Sequence, residues 1–161
     1  MILGLHRRSG PELALRAWSS DAALPPLSVV GRDQGGLQTR RWREAGVAGV
    51  RFLGPRWGGE REDLLDGVAV WLAPYPDDAL TRNHLCPLQV VDALGSSLPL
   101  VVPDLPSIRA LTDGQKSVHH YRADDPEGLA RAVRAATTSR RVHRSRPRWC
   151  DRAVRLRSLI A

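Results

Sequence analysis

The sequence predicts an α/β fold in which a parallel sheet of about six strands lies between helices, as a Rossmann-like three-layer sandwich. Short apolar segments bounded by Gly, Pro or Asp alternate along the chain with longer segments whose apolar residues recur at helical spacing. Strands that alternate with helices form βαβ units, and these close into a parallel sheet with right-handed crossovers. Most of the short segments are rich in apolar residues, which is typical of strands buried on both faces.

Six short apolar segments are predicted as strands because each ends at a glycine, a proline or a polar turn. In chain order they are Met1–Leu5, Leu27–Gly31, Val50–Gly54, Val68–Ala73, Pro99–Val102 and Ser117–Tyr121. In a sheet of this kind, ligands bind beyond the carboxyl ends of the strands, at the point where the strand order reverses.

The segments between the strands are predicted as helices. Pro11 suits a first helical turn and places Leu13, Ala14, Ala17 and Trp18 on one face. In the helix Pro87–Leu94, the expected apolar residues are Leu88, Val91 and Ala93. The helix Pro126–Ala136 should bury Leu129, Ala130 and Val133, with Asp124 or Asp125 as its N-cap. The other predicted helices are Leu37–Ala45, Glu62–Leu65, Ser107–Leu111 and Trp149–Ile160.

The 161 residues suit a single domain, 1–161, in which 138–148 form a basic connector and 149–160 a C-terminal helix. The net charge is +7, and Lys116 is the only lysine among 24 basic residues. This charge predicts attraction to anions, although the arginine bias is equally explained by the base composition of a genome.

Composition also excludes several classes of protein. Cys86 and Cys150 lie outside zinc-ligand spacings, so no metal site is expected. No apolar stretch approaches the roughly 20 residues that span a bilayer, and the N-terminal apolar run is too short for a signal peptide. The sequence therefore predicts a cytoplasmic protein.

One segment carries a resemblance to a known family. From Cys86 to Arg109, a Pro-Leu step opens a helix that contains Asp92, the small-residue turn Gly95–Ser97 follows, and the strand Pro99–Val102 ends in a polar turn. This segment resembles the signature region of family 4 glycosyltransferases, which have the two-domain GT-B fold. Further segments resemble family motifs in the same order, so that the resemblance covers nearly the whole chain: Leu27–Gly31, Val50–Pro55, Asp66–Pro74 and Ala123–Ala130.

The resemblance implies a specific function. The chain is expected to be the C-terminal half of such an enzyme, which binds a nucleotide diphosphate sugar as donor and transfers its hexosyl group. The acceptor would lie mainly on an N-terminal domain or subunit that this sequence is expected to lack, so the isolated chain is expected to be inactive. The resemblance favours transfer with retention of configuration and without a metal or other cofactor.

Several candidate donor-binding residues lie around the helix that begins near Pro87. Leu88 and Gln89 would direct backbone N–H groups at the diphosphate, since a helix N-terminus suits an anion. By resemblance, Asp92 would accept hydrogen bonds from the ribose hydroxyls. His84 occupies the position of the family's first Glu, where a carboxylate is replaced by an imidazole; the alternative is an exposed loop histidine.

The remaining candidates follow the first and third predicted strands. Gly4 begins the loop in which the family places basic residues that clamp the diphosphate, and Arg7 or Arg8 could take that role, or form a basic surface loop. Arg56 borders the loop expected to read the nucleotide base by its backbone groups. Trp57 could stack on the base, although a partly buried tryptophan is the commoner outcome.

Two other functions stay open from the sequence. The changes at His84 and in the first loop favour a degenerate, noncatalytic partner subunit that keeps the fold. The cluster Arg140–Arg148 would suit a nucleic acid or an acidic membrane surface, or form a solvated connector. A nucleic-acid role is the weaker of these because aromatic residues do not interleave with a basic face and no recognition motif occurs.

Overall fold

A computed structural model of the chain describes residues 2–4, 10–84 and 86–142, with residues 2–4 and 34 described as backbone only. The strands are β1 Ile2–Gly4, β2 Leu27–Val30, β3 Val50–Gly54, β4 Trp71–Leu72, β5 Leu100–Pro103 and β6 Val118–Tyr121. The helices are α1 Pro11–Ser20, α2 Leu37–Glu44, α3 Gly59–Asp66, α4 Ala79–Asn83, α5 Leu88–Leu94, α6 Pro106–Thr112 and α7 Pro126–Thr137.

The strands pair in the order β3-β2-β1-β4-β5-β6, and every pairing is parallel. Ile2 of β1 pairs with Ser28 of β2 on one side and with Trp71 of β4 on the other. The predicted α/β fold with parallel strands is therefore confirmed. The order of the strands reverses between β1 and β4, which is the position where such sheets bind ligands.

Alternate residues of the central strands face opposite layers of helices. Leu72 of β4 and Val101 of β5 belong to a core formed with α1, α2 and α7, which we call the α1 face. Trp71 and Leu100, their chain neighbours, belong to a core formed with α5 and α6, against which α3 also packs; we call this the α5 face. This alternation is the period-2 side-chain pattern of a strand, and it shows that the sheet is covered on both sides.

The amphipathic patterns of α1 and α7 predicted the buried faces of those helices correctly. The residues expected inside are all buried, namely Leu13, Ala14, Ala17 and Trp18 in α1 and Leu129, Ala130 and Val133 in α7. Asp125 is the N-cap of α7, because its Oδ1 accepts a hydrogen bond from the Gly128 N–H at 2.9 Å. The buried sides of helices α1 and α7 both pack into the core of the α1 face.

In α5, Leu88 is 63% exposed, whereas Val90, Ala93 and Leu94 are buried. Leu88 is the first residue of the helix, where the chain is still at the rim of the sheet rather than over it. The helix α4 was not predicted because five residues are too few to show periodicity. Its N-cap is Asp78, whose Oδ1 accepts a hydrogen bond from the Thr81 N–H at 2.7 Å.

After α7 the chain crosses the amino ends of the strands. Ser117 donates its hydroxyl hydrogen to the Arg140 carbonyl at 3.3 Å, and the Val142 N–H donates to the Ser97 carbonyl at 2.9 Å. Nη2 of Arg141 contacts the carbonyl oxygens of Asp66 at 2.8 Å and Val68 at 2.7 Å.

Arg141 is exposed, and its guanidinium also caps the end of α3. The rest of the basic connector and the predicted helix 149–160 lie outside the described residues. Within the described ranges, none of the helices combines the length and the apolar character that crossing a bilayer requires.

Candidate functional site

The carboxyl ends of the parallel strands meet at one edge of the sheet, and the predicted site residues that the structure describes lie in segments that begin there. Gly4 ends β1, Arg56 lies in the loop after β3, and the segment from His84 to Asp92 follows β4. Gly4 and the segment from His84 to Asp92 therefore flank the reversal point between β1 and β4, whereas Arg56 follows the edge strand β3. Arg7 and Arg8 lie outside the described residues.

Two loops touch directly across the reversal point. Gly10, just before α1, has φ = 63°, and a Cβ atom at this position would overlap the carbonyl oxygen of Pro74, which lies in the loop after β4. Only a glycine combines this left-handed backbone with so close an approach of another backbone. The contact was not predicted, because the sequence shows only a glycine that precedes Pro11 at the start of a helix.

The start of α5 is packed against a buried tyrosine. The carbonyl of the buried Pro87 accepts hydrogen bonds from the N–H groups of Val90 at 2.9 Å and Val91 at 3.2 Å. The Gln89 N–H donates to the phenolic oxygen of Tyr75, which is 5% exposed. Burial raises the pKa of Tyr75 to about 12.

This contact changes the interpretation of the helix start. The phenol of Tyr75 therefore lies against the first turn of α5, beside the backbone of Gln89. Leu88, in contrast, lies on the exposed side of the first turn. Sequence reasoning missed Tyr75 because it follows Pro74 in what looked like a simple strand-ending turn.

Asp92 lies in a cluster that joins two helices of the α5 face. Nη2 of Arg61, in the first turn of α3, contacts Oδ2 of Asp92 at 3.1 Å. The same guanidinium lies over the indole of Trp71, with 5.5 Å between its central carbon and the ring centroid, which is a cation–π geometry. Trp71 is 5% exposed, so the buried ring forms a floor beneath the pair.

The Asp92 carboxylate is therefore held at the α3 side of α5 rather than left in bulk solvent. Its side chain keeps 42% of its surface exposed, and that of Arg61 keeps 37%. A carboxylate can accept about four hydrogen bonds, so the contact with Arg61 uses only part of this acceptor capacity. Arg61 was not among the predicted site residues, because its role depends on the packing of α3 beside α5.

The other candidates are more exposed. His84 is the C-cap of α4, and its backbone N–H donates to the Leu80 carbonyl at 2.9 Å. His84 is exposed to solvent. Arg56 donates to the Pro55 carbonyl at 3.3 Å and approaches the Glu60 carboxylate to 4.0 Å. Trp57 is 76% exposed, so the partly buried tryptophan considered from the sequence is not what the structure contains.

Large apolar side chains that face solvent share one location in the part of the chain that the structure describes. They are Leu37, Trp57, Leu80 and Leu88. Each lies in a loop or in the first two residues of a helix that follows β2, β3 or β4, hence at the carboxyl edge of the sheet. Single exposed apolar residues are ordinary, and these four follow different strands along the carboxyl edge.

Comparison with known proteins identifies the family. Residues 2–139 match the family described as Glycosyl transferases group 1. The chain belongs to this glycosyltransferase family. No curated protein matches it in sequence.

Solved structures of glycosyltransferases share the fold of this domain. A glycosyltransferase of Rickettsia africae matches with a TM-score of 0.65 and 12% identity, over 84% of this chain and 36% of the other. Anabaena HepE, solved in complex with UDP and glucose, matches with a TM-score of 0.63 and 15% identity, over 86% and 39%. The catalytic domain of Helicobacter pylori cholesterol-α-glucosyltransferase matches with a TM-score of 0.59 and 12% identity, over 83% and 80%.

These matches show a GT-B glycosyltransferase domain at the level of the fold. The chain spans 36% and 39% of the Rickettsia and Anabaena chains, and 80% of the Helicobacter catalytic domain.

Proposed function

We propose that this glycosyltransferase domain is the donor-binding half of its enzyme and belongs to family 4. It would hold a nucleotide diphosphate sugar at the carboxyl edge of the sheet while a second domain or subunit presents the acceptor. The observation that carries this proposal is that Gly4 and the segment containing Asp92 flank the reversal point of the sheet, in a chain of this family.

Each part of the donor has a proposed location. The diphosphate would lie between Gly4, the arginines Arg7 and Arg8 of the first loop, and the exposed start of α5 at Leu88. Guanidinium groups suit this role because they bind phosphate oxygens in a bidentate manner. Pro87 fixes the start of that helix, and Gln89 contributes through its contact with Tyr75.

The nucleoside would lie toward α3. Asp92 would accept hydrogen bonds from the ribose hydroxyls, and the loop with Arg56 and Trp57 would meet the base. The exposure of Trp57 supports a stacking role, because its indole presents a large face to solvent. His84 would lie near the sugar, where it can donate or accept a hydrogen bond but cannot supply the charge of a carboxylate.

In the proposed reaction the bond between the anomeric carbon and the diphosphate oxygen breaks, and an acceptor oxygen bonds to that carbon. The hexosyl group moves and the nucleoside diphosphate leaves with the electron pair. Arg7, Arg8 and the Leu88 N–H would stabilise the charge that develops on the leaving group. A catalytic base is not assigned, and we place the acceptor chemistry on the second domain.

The exposed apolar edge supports the proposed second domain. Leu80 and Leu88 lie beside the proposed donor site, where a covering domain would remove them from solvent. The lengths of the Rickettsia and Anabaena chains, of which this chain spans less than half, also support a further domain or subunit.

Calorimetric titration of the 161-residue chain with UDP, GDP and ADP tests the donor site. At least one should bind, and Asp92→Ala should weaken that binding by about 1–3 kcal/mol through loss of the ribose contacts. Asp104→Ala is the matched control, because Asp104 is also a partly exposed aspartate in an ion pair with an arginine, Arg109, but follows β5. Failure of all three nucleotides to bind, or equal effects of the two substitutions, would contradict the proposal.

A second candidate is a noncatalytic partner subunit. It is favoured by His84, which stands where the family usually has a carboxylate and is exposed in the structure. This candidate predicts no nucleotide binding by the chain, so the same titration separates the two functions. The donor-binding half, when isolated, is expected to transfer no sugar; turnover without a partner would contradict the need for one.

A further inference from the structure

Arg61 combines two contacts that fix its guanidinium in place. One nitrogen meets the Asp92 carboxylate, and the planar group lies over the ring of Trp71. Trp71 is held in the core of the α5 face, so it gives the guanidinium a rigid support. The three residues come from α3, β4 and α5, and only the packed fold brings them together.

The stability of the fold does not explain this arrangement well. Both side chains of the ion pair are more than one-third exposed, and pairs of this kind contribute little to stability. The pair does, however, restrict the rotamers of Asp92, because Oδ2 is attached to a group that is itself fixed by the indole. The effect of such an arrangement is orientation of the carboxylate.

We propose that Arg61 is a positioning residue for nucleotide binding, which holds the Asp92 carboxylate in the orientation that accepts hydrogen bonds from ribose hydroxyls. This inference rests on the proposed donor site. Asp92 is an aspartate, whose short side chain has little reach, so its direction matters more than that of a longer acid. Arg61 fixes this direction from the side of α3 through its contact with Oδ2.

Arginine suits this position better than lysine. Its planar guanidinium can stack on the Trp71 ring and donate to a carboxylate at the same time, whereas an ammonium group is a point charge on a flexible stem. The variant Arg61→Lys should therefore bind the ribonucleotide more weakly than wild type but more tightly than Arg61→Gln. The positioning role predicts an intermediate affinity, because the charge partner returns but the stacked geometry does not.

The experiment compares a ribonucleotide with its sugar-modified form. Whichever of UDP, GDP and ADP binds the wild-type chain best is titrated beside its 2′,3′-dideoxy counterpart. The wild-type chain should prefer the ribonucleotide by about 10- to 100-fold, as expected for hydrogen bonds to a charged group. Arg61→Gln should reduce this preference to within about threefold, with little change in the affinity for the dideoxy form.

Arg134→Gln is the matched control, because Arg134 of α7 also forms an ion pair with the end of another helix, at Asp21, the C-cap of α1. This control should keep the wild-type preference. Urea unfolding of each variant shows whether it is folded, and Arg61→Lys provides a second, milder substitution if the glutamine variant does not fold.

The outcomes separate the inference from the proposed function. Binding by wild type, with a ribose preference that survives in Arg61→Gln, would overturn the role of Arg61 and leave the donor site standing. Tighter ribonucleotide binding by Arg61→Gln would also overturn it, since Arg61 would then compete with the ribose for Asp92. Binding without any ribose preference would remove Asp92 from the ribose site. A wild-type chain that binds no nucleotide would overturn both.

Discussion

Arg141 offers a test of how the end of the described chain contributes to stability. Its Nη2 approaches the carbonyl oxygens of Leu65, Asp66 and Val68, the first at 3.3 Å and the others at 2.8 and 2.7 Å. An NH₂ group carries two hydrogens, so two strong bonds are counted. At about 0.5–1 kcal/mol for each partly solvated bond, Arg141→Met should lower the free energy of unfolding by about 1–2 kcal/mol.

Arg140→Met is the matched control for this prediction. Arg140 is the neighbouring arginine and is exposed, and its backbone carbonyl, rather than its side chain, accepts the hydrogen bond from Ser117. Urea unfolding followed by far-UV circular dichroism measures the free energy, and the melting temperature should fall by about 2–8 °C in Arg141→Met alone. Equal stability of the two variants would refute the capping role of Arg141.

Two further predictions concern stability. Gly10→Ala should lower the free energy of unfolding by at least about 1 kcal/mol more than Gly35→Ala. Both glycines have positive φ, but only Gly10 packs against the Pro74 carbonyl. Urea midpoints of the two variants measure the difference. Burial lowers the pKa of His119 and His120, so the unfolded chain binds more protons than the folded chain as pH falls below about 6.5. Stability should therefore fall between pH 7 and pH 5, and less so when both histidines are replaced by glutamine; an unchanged pH dependence of the urea midpoints would contradict this account.

Local patterns in the sequence predicted the layers of the fold. The helical spacing of Leu13 and Trp18 identified the buried face of α1, and the capping residue Asp125 identified the start of α7. These features depend on residues within about one or two turns of each other, so they can be recognised without knowledge of the tertiary structure. Parallel pairing followed from the alternation of strands and helices.

The contacts of the candidate site depend on packing between distant segments. Arg61 and Asp92 are 31 residues apart, and their contact exists because α3 and α5 are neighbours on one face of the sheet. The contact between Gly10 and Pro74 likewise requires β1 and β4 to be adjacent. No periodicity or capping rule reports on such pairs.

The site also showed the limits of reasoning from residue type. Leu88 is apolar, yet its position in the first turn of α5 leaves it exposed. Trp57 is exposed for the same reason, since it lies in a loop beyond the end of β3. The sequence alone places such residues near a strand end but does not report which of them face solvent.

The solvent-facing leucines and tryptophan of the carboxyl edge have a calorimetric consequence. Docking of another domain on Leu37, Trp57, Leu80 and Leu88 would transfer apolar surface out of water. Such transfer gives association a negative heat-capacity change, so the measured enthalpy would become more favourable as temperature rises. A polar contact made through the arginines of the opposite, amino edge would lack this temperature dependence, and titrations at several temperatures would therefore reveal which edge a partner uses.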